Sequence, residues 1–141
     1  MLRVKIDLTQ FEQELDILSK LLSRPAEFLA DDLHDELTDI ITDVFETDGH
    51  GEWPPRKDNL PHPLLRKTGR MFESIIKTQH PEHIWLVGGD TIILGTEVEY
   101  AEYHEGGTDR IPARPFFSIL VRVDAETRLA QIAEQAIQRR L

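Results

Sequence analysis

The strongest constraint on the fold is the segment from Thr47 to Pro63, in which hydrophobic periodicity is lost. Glycine and proline recur there too often for a helix or a central strand to continue. These residues are Gly49, Gly51, Pro54, Pro55, Pro61 and Pro63. A long loop therefore divides the chain, and we expect residues 1–141 to form a single domain in which the loop 47–63 is the candidate mobile segment.

The half before this loop begins as a strand and continues as helices. Leu2–Leu8 has an apolar residue at every second position, which predicts a half-buried strand. A capping box at Thr9–Glu12 predicts one helix, and Pro25 suits the first position of a second. Apolar residues at helical spacing continue to Phe45, with acidic residues on the opposite face.

The half after the loop is predicted to contain most of the sheet. A short helix capped by Thr68 comes first. Apolar runs at 83–87 and 91–96 then flank Gly88-Gly89-Asp90, which is a strong hairpin signal. Alternation from Phe117 to Val123 predicts a further strand.

Two further helical segments complete the expected fold. Tyr100–His104 is predicted to form one turn that ends at Gly106-Gly107, and Asp124 to cap a final helix. The expected fold class is α+β, a mostly antiparallel sheet packed by N-terminal and C-terminal helices, with a long Pro/Gly-rich loop.

Charge is segregated along the chain. There are 16 basic and 26 acidic side chains, for a net charge of −10, which argues against general binding of nucleic acid. Residues 27–52 contain no Lys or Arg, whereas the charged side chains of residues 56–70 are all basic apart from Asp58. Such a chain is suited to head-to-tail association in a ring. A solvated helix face beside a basic loop is the alternative. No apolar run approaches the roughly 18 residues that span a membrane.

The motifs of common enzyme classes are absent from the sequence. There is no cysteine, no HExxH pair of histidines, no GxSxG elbow and no phosphate-binding Gly-Lys-Ser/Thr. His104 lies between Glu102 and Glu105, but it lacks a second histidine at ligand spacing. We therefore expect no catalytic residue, metal or cofactor.

The segment Ile111–Phe117 is better suited to assembly than to catalysis. Pro112 and Pro115 hold it extended, which lowers the entropy lost on docking. Arg114 offers a planar fork for a carboxylate or carbonyl on a neighbouring element. If a strand begins at Phe116, it and Phe117 point to opposite faces, so that one is available to a partner. Internal packing of both rings is the alternative.

An ordered set of short motifs in residues 45–120 resembles the phage virion morphogenesis family. The set comprises Gly51-Glu52-Trp53-Pro54-Pro55, Leu65-Arg66-Lys67-Thr68-Gly69-Arg70-Met71 with Ser74-Ile75, Leu94-Gly95-Thr96, Tyr100-Ala101, His104-Glu105-Gly106-Gly107 and Ile111-Pro112-Ala113-Arg114-Pro115-Phe116. Each motif alone is weak, whereas their order and spacing together are specific. The N-terminal and C-terminal helices match only in character.

The resemblance implies a structural role in tail completion or head–tail joining, without catalysis. It implies self-association in a ring, with a hexamer plausible, and contact with tail terminator, tail tube or head-connector proteins. The expected location is the host bacterial cytoplasm during assembly and then the head–tail or tail region of the virion. The candidate interface comprises Trp53, Arg56, Lys57, Arg66, Arg70, Tyr103, Arg114 and Phe116.

Two other functions stay open at the level of sequence. One is a small metal-dependent hydrolase that uses His104, Glu105 and neighbouring acids. The other is an acidic regulator that mimics nucleic acid, which requires carboxylates spaced like phosphates.

Overall fold

The computed structural model describes residues 1–8, 25–122 and 125–140. The capping box at 9–12, its helix and the Asp124 cap lie outside these residues. The described elements are β1 (Leu2–Asp7), α1 (Pro25–Glu46), α2 (Arg70–Ile76), β2 (His83–Gly88), β3 (Thr91–Thr96), α3 (Ala101–Gly106), α4 (Ser118–Arg122) and α5 (Ala125–Arg140). The predicted α+β class is confirmed.

The three strands form an antiparallel sheet in the order β1-β3-β2. Leu94 lies opposite Val4 on one side and Trp85 on the other, so these residues share a face. The predicted strand near the N-terminus and the predicted hairpin are therefore confirmed. The alternation of β1 aligns its half-buried residues with the buried residues of β3 on this core face.

Gly95 is required where β3 passes β1. A Cβ at this position would lie 2.3 Å from the Arg3 Cβ and 2.6 Å from the Leu2 carbonyl oxygen. We expect Gly95→Ala to lower the free energy of unfolding by about 1–3 kcal/mol, because the strands must move apart. Gly89→Ala is the matched control, since a Cβ there meets nothing within 4 Å. Equal midpoints of urea unfolding for the two variants would contradict this.

Helix α1 covers the core face of the sheet and packs against α5. Its buried residues recur at helical spacing, as the apolar stripe predicts. They are Ala26, Leu29, Leu33, Leu37, Ile40, Ile41, Val44 and Phe45. In the described part of the chain, no helix combines the length and the apolar character that crossing a membrane requires.

An aromatic cluster joins the loop after α1 to the rest of the core. The Phe45 ring lies 5.4 Å from Trp53, 4.9 Å from Phe72 and 5.6 Å from Phe116, between ring centroids. These four rings come from α1, the loop, α2 and the segment before α4. The loop is thus anchored at Trp53.

The strand predicted from Phe117 is wrong, because residues 118–122 form helix α4. The Glu105 side chain accepts the N–H of Ser118, the first residue of α4, and the N–H groups of Phe116 and Phe117 just before it, which fixes the start of the helix. Ile119 is buried, and α4 packs against α1 and α5. Tertiary contacts therefore override the strand preference of the β-branched residues.

The other two short helices follow their end signals closely. α2 begins after Gly69 (φ 79°), and the Thr68 hydroxyl accepts the Arg70 N–H at 3.3 Å, so Thr68 lies one residue before the cap position. α3 covers the turn predicted at 100–104, with Tyr100 at its N-cap, and ends at Gly106, with Gly107 (φ 74°) as the C-cap. Positive φ at these two glycines is a conformation that most side chains resist.

Two histidines, His34 of α1 and His83 of β2, form a hydrogen bond that joins the helix to the sheet. His83 Nδ1 must donate to the Ser74 carbonyl oxygen at 2.8 Å, because a carbonyl only accepts. His83 Nε2 is then the acceptor for His34 Nε2–H at 2.9 Å in the neutral pair. His34 also contacts the edge of the Trp85 ring. Burial, and then the charge on His83, lower the pKa of His34.

The histidine pair predicts loss of stability on acidification. A lowered folded-state pKa means that the unfolded chain binds more protons at mildly acidic pH. The contribution of His34 is therefore full above its ordinary pKa of about 6.5 and is lost as the pH falls from there through the lower folded-state pKa. We expect the free energy of unfolding to decrease from pH 7.5 to pH 5.5. His34→Gln should be less stable at pH 7.5 but should show a smaller decrease. If the free energy of unfolding fell equally in both proteins, His34 would not be the cause of the loss of stability.

Candidate functional site

The residues predicted for assembly meet where the loop after α1 crosses the segment before α4. Trp53 Nε1 donates to the Pro115 carbonyl at 2.7 Å. Arg114 donates from Nε and Nη2 to the Pro54 carbonyl, at 3.0 and 2.8 Å, and from Nη2 to that of Pro55 at 3.2 Å. The predicted carbonyl partner of Arg114 therefore lies within the chain.

Helix α3 fixes the other side of the same segment. The Arg114 backbone N–H donates to the His104 carbonyl at 2.8 Å, and further along the segment the Phe116 and Ser118 N–H groups donate to the Glu105 carboxylate. A Cβ at Gly107 would lie 2.7 Å from the Ala113 nitrogen, so glycine permits the close approach. Three sequence motifs, Gly51–Pro55, His104–Gly107 and Ile111–Phe116, thus form one connected unit.

A groove of about 760 Å³ opens beside this unit. Its walls include Pro54, Pro55 and Pro112, and its apolar lining includes Met71 and Tyr100. Proline walls hold the groove in shape because their φ angles are fixed. We call this cavity the basic groove, because its described lining contains five cationic side chains and a single carboxylate, Asp58. The cations are Arg56, Lys57, Lys67, Arg110 and Arg114.

Two of the five cations are held by the protein itself. Arg114 binds the carbonyls described above, and Arg56 donates to the Leu60 and His62 carbonyls with its Nε 2.8 Å from Asp58. Lys57, Lys67 and Arg110 are exposed. In the residues that the structure describes, no carboxylate lies within 4 Å of these three. They supply the positive charge that remains available to a ligand.

His104 borders the groove without the surroundings of a metal ligand. Burial, and then the charge of Arg114, lower its pKa, which favours the neutral ring. No described group forms a hydrogen bond with its buried Nδ1. Both oxygens of Glu105 accept backbone N–H groups. Within residues 1–8, 25–122 and 125–140, no three His, Asp or Glu side chains are grouped for a metal ion.

Several predicted interface residues are engaged inside the domain. Trp53 and Phe116 are 5% and 0% exposed, and Phe117 is also buried, so neither face of the Phe pair is offered to a partner. The Arg66 guanidinium lies 5.1 Å from the centre of the Phe72 ring. Tyr103, which is 53% exposed, and Lys57 remain on the surface.

Arg70 is also committed to an internal network. It donates to both carboxylate oxygens of Glu82, at 2.7 and 2.6 Å, and to Glu99. These hydrogen bonds, Glu82 first, raise the pKa of Arg70 and lower the pKa values of both glutamates. Arg70 therefore links α2 to residues on either side of the hairpin.

Sequence reasoning missed Lys67 and Arg110 as groove residues. Lys67 lies in the basic segment 56–70, but nothing in the sequence distinguishes it from Arg66. Arg110 lies 43 positions from Lys67, beyond the reach of any local pattern. The folded chain brings both residues to one cavity, which Pro54 and Arg114 of the crossing also line.

The acidic side chains of α1 form a second charged surface. Asp31, Asp35, Asp39 and Asp43 recur every four residues and are exposed, and we call them the acidic stripe. At a rise of about 1.5 Å per residue the stripe extends about 18 Å. Among described groups, no Lys or Arg nitrogen lies within 4 Å of these carboxylates. No residue of α1 lines the basic groove.

Comparison of the chain with protein-family models, with curated proteins and with solved structures finds no match.

Proposed function

We propose that this protein is a structural component of tailed-phage assembly that completes the tail or joins it to the head, as part of a ring. The observation that carries the proposal is the interlock of Trp53 with Pro115 and of Arg114 with Pro54. The segments whose order and spacing resemble the virion morphogenesis family contact one another in the fold. Such contacts are expected if these motifs are the residues that hold the fold of that family together.

The surroundings of His104 and Glu105 favour this proposal over a metal-dependent hydrolase. A hydrolytic metal needs three protein ligands and an open position. Here Glu105 holds the start of α4, and Arg114 disfavours a second cation beside His104. The two residues have structural tasks instead.

Inactivation of the gene in a tailed phage or prophage that carries it tests the role. We expect electron microscopy of the lysate to show heads and tails that are not joined, or tails that are incomplete. A plasmid copy of the wild-type gene should restore joined, infectious particles. Normal particles without the gene would overturn the proposed function.

A variant must be chosen with the fold in mind. Phe116→Ala does not separate assembly from folding, because the ring is fully buried. Lys57→Glu is a better partial-loss variant, since this side chain is exposed. Lys5→Glu, on the solvent side of β1, is its control and should complement like the wild type.

A further inference from the structure

The basic groove and the acidic stripe are complementary in charge and lie on separate parts of the chain. The groove offers three uncommitted cations, Lys57, Lys67 and Arg110. The stripe offers four exposed carboxylates along one i, i+4 row of α1. In the described chain, the three cations have no carboxylate within 4 Å, and the stripe has no Lys or Arg nitrogen within 4 Å, although Asp43 lies 3.7 Å from His50 Nδ1.

The acidic stripe is unfavourable in an isolated chain. Like charges at positions i and i+4 of a helix destabilise it by tenths of a kcal/mol for each pair. Partner cations would remove this repulsion. The apolar lining of the groove, with Met71 and Tyr100, would keep water from the contact and strengthen the attraction.

We infer that the basic groove of one copy receives the acidic stripe of a second copy of this chain. The inference rests on the proposed ring and names its contact. Because groove and stripe are different surfaces, the contact is heterologous, and a pair of copies is left with one free groove and one free stripe. Repetition closes a ring when the rotation between neighbours allows it.

Charge reversal tests the contact. One variant carries Lys57→Glu and Lys67→Glu, and another carries Asp35→Lys and Asp39→Lys. Native mass spectrometry and light scattering at low salt should show an oligomer for the wild type. Each variant alone should associate about tenfold more weakly or worse, because attraction is replaced by repulsion.

Mixing the two variants is the decisive test of the contact. The reversed groove of one fits the reversed stripe of the other, and their unchanged surfaces also fit. An equimolar mixture should therefore recover the wild-type oligomer with alternating copies. Lys5→Glu with Lys77→Glu alters the net charge as much as the groove variant does, at exposed residues outside the groove, and should assemble normally.

The outcomes separate this inference from the proposed function. A wild-type chain that stays monomeric at its highest soluble concentration overturns the contact, as does an oligomer that is indifferent to both reversals. If the groove variant associates normally but fails to join heads and tails, the groove serves another phage protein or nucleic acid, and the inference fails while the function stands. The gene-inactivation phenotype does not depend on any of these results.

Discussion

Replacing Trp53 with alanine is expected to lower the free energy of unfolding by about 3–5 kcal/mol, as measured by urea denaturation. The substitution removes a ring that is 5% exposed and packs edge-on against Phe45. It also removes the hydrogen bond to the Pro115 carbonyl, and so both of the contacts by which this side chain ties the loop to the rest of the domain.

Trp53→Phe separates the two effects. It keeps an aromatic ring but loses the donor, and we expect a smaller loss of about 1–2 kcal/mol. The chain contains a second tryptophan as a matched site, because Trp85 on β2 is only partly buried. Trp85→Ala should cost less than Trp53→Ala. The reverse order would show that Trp53 does not anchor the loop.

Removal of the Glu105 carboxylate should have the next largest effect on the free energy of unfolding. Its oxygens accept three consecutive N–H groups, at 2.7 Å from Phe116, 3.1 Å from Phe117 and 2.8 Å from Ser118. Donors left without partners near the core are costly. We expect Glu105→Ala to lower the free energy of unfolding by about 2–3 kcal/mol. Amide hydrogen exchange at Phe116 and Phe117 should become faster.

Glu102→Ala is the control on the same helix. Glu102 is exposed and forms a 3.5 Å ion pair with the N-terminal amine, which is a contact worth about 0–1 kcal/mol. Its loss should leave exchange at 116–118 unchanged. If both glutamates behave alike, α4 does not depend on Glu105.

The sequence predicted those elements whose signals are local. Alternation from Leu2, proline at position 25 and the Gly-Gly-Asp turn each act within a few residues, and β1, α1 and the hairpin follow them. α4 was predicted as a strand because its cap comes from Glu105, which is 13 positions from Ser118. No local pattern reports such a contact.

The candidate site was less predictable for the same reason. The chemistry of Arg114 was clear from its planar fork, but its partner, the Pro54 carbonyl, lies 60 positions away. Arg70 has the same basic character in sequence as Lys67, yet two glutamates bind it. Tertiary contacts therefore decide whether a basic side chain is free to bind a partner. The pattern of charges along the sequence does not reveal those contacts.

Zero-length carbodiimide cross-linking tests the central claim, assembly through groove and stripe, most directly. It joins a lysine amine to a carboxylate in contact with it, so the unaltered protein is used. An equal mixture of ¹⁴N-labelled and ¹⁵N-labelled chains identifies links between copies by mass spectrometry. The account predicts mixed-isotope peptides that join Lys57 or Lys67 to Asp31, Asp35, Asp39 or Asp43. Links between copies confined to other surfaces, or none at all, would contradict it.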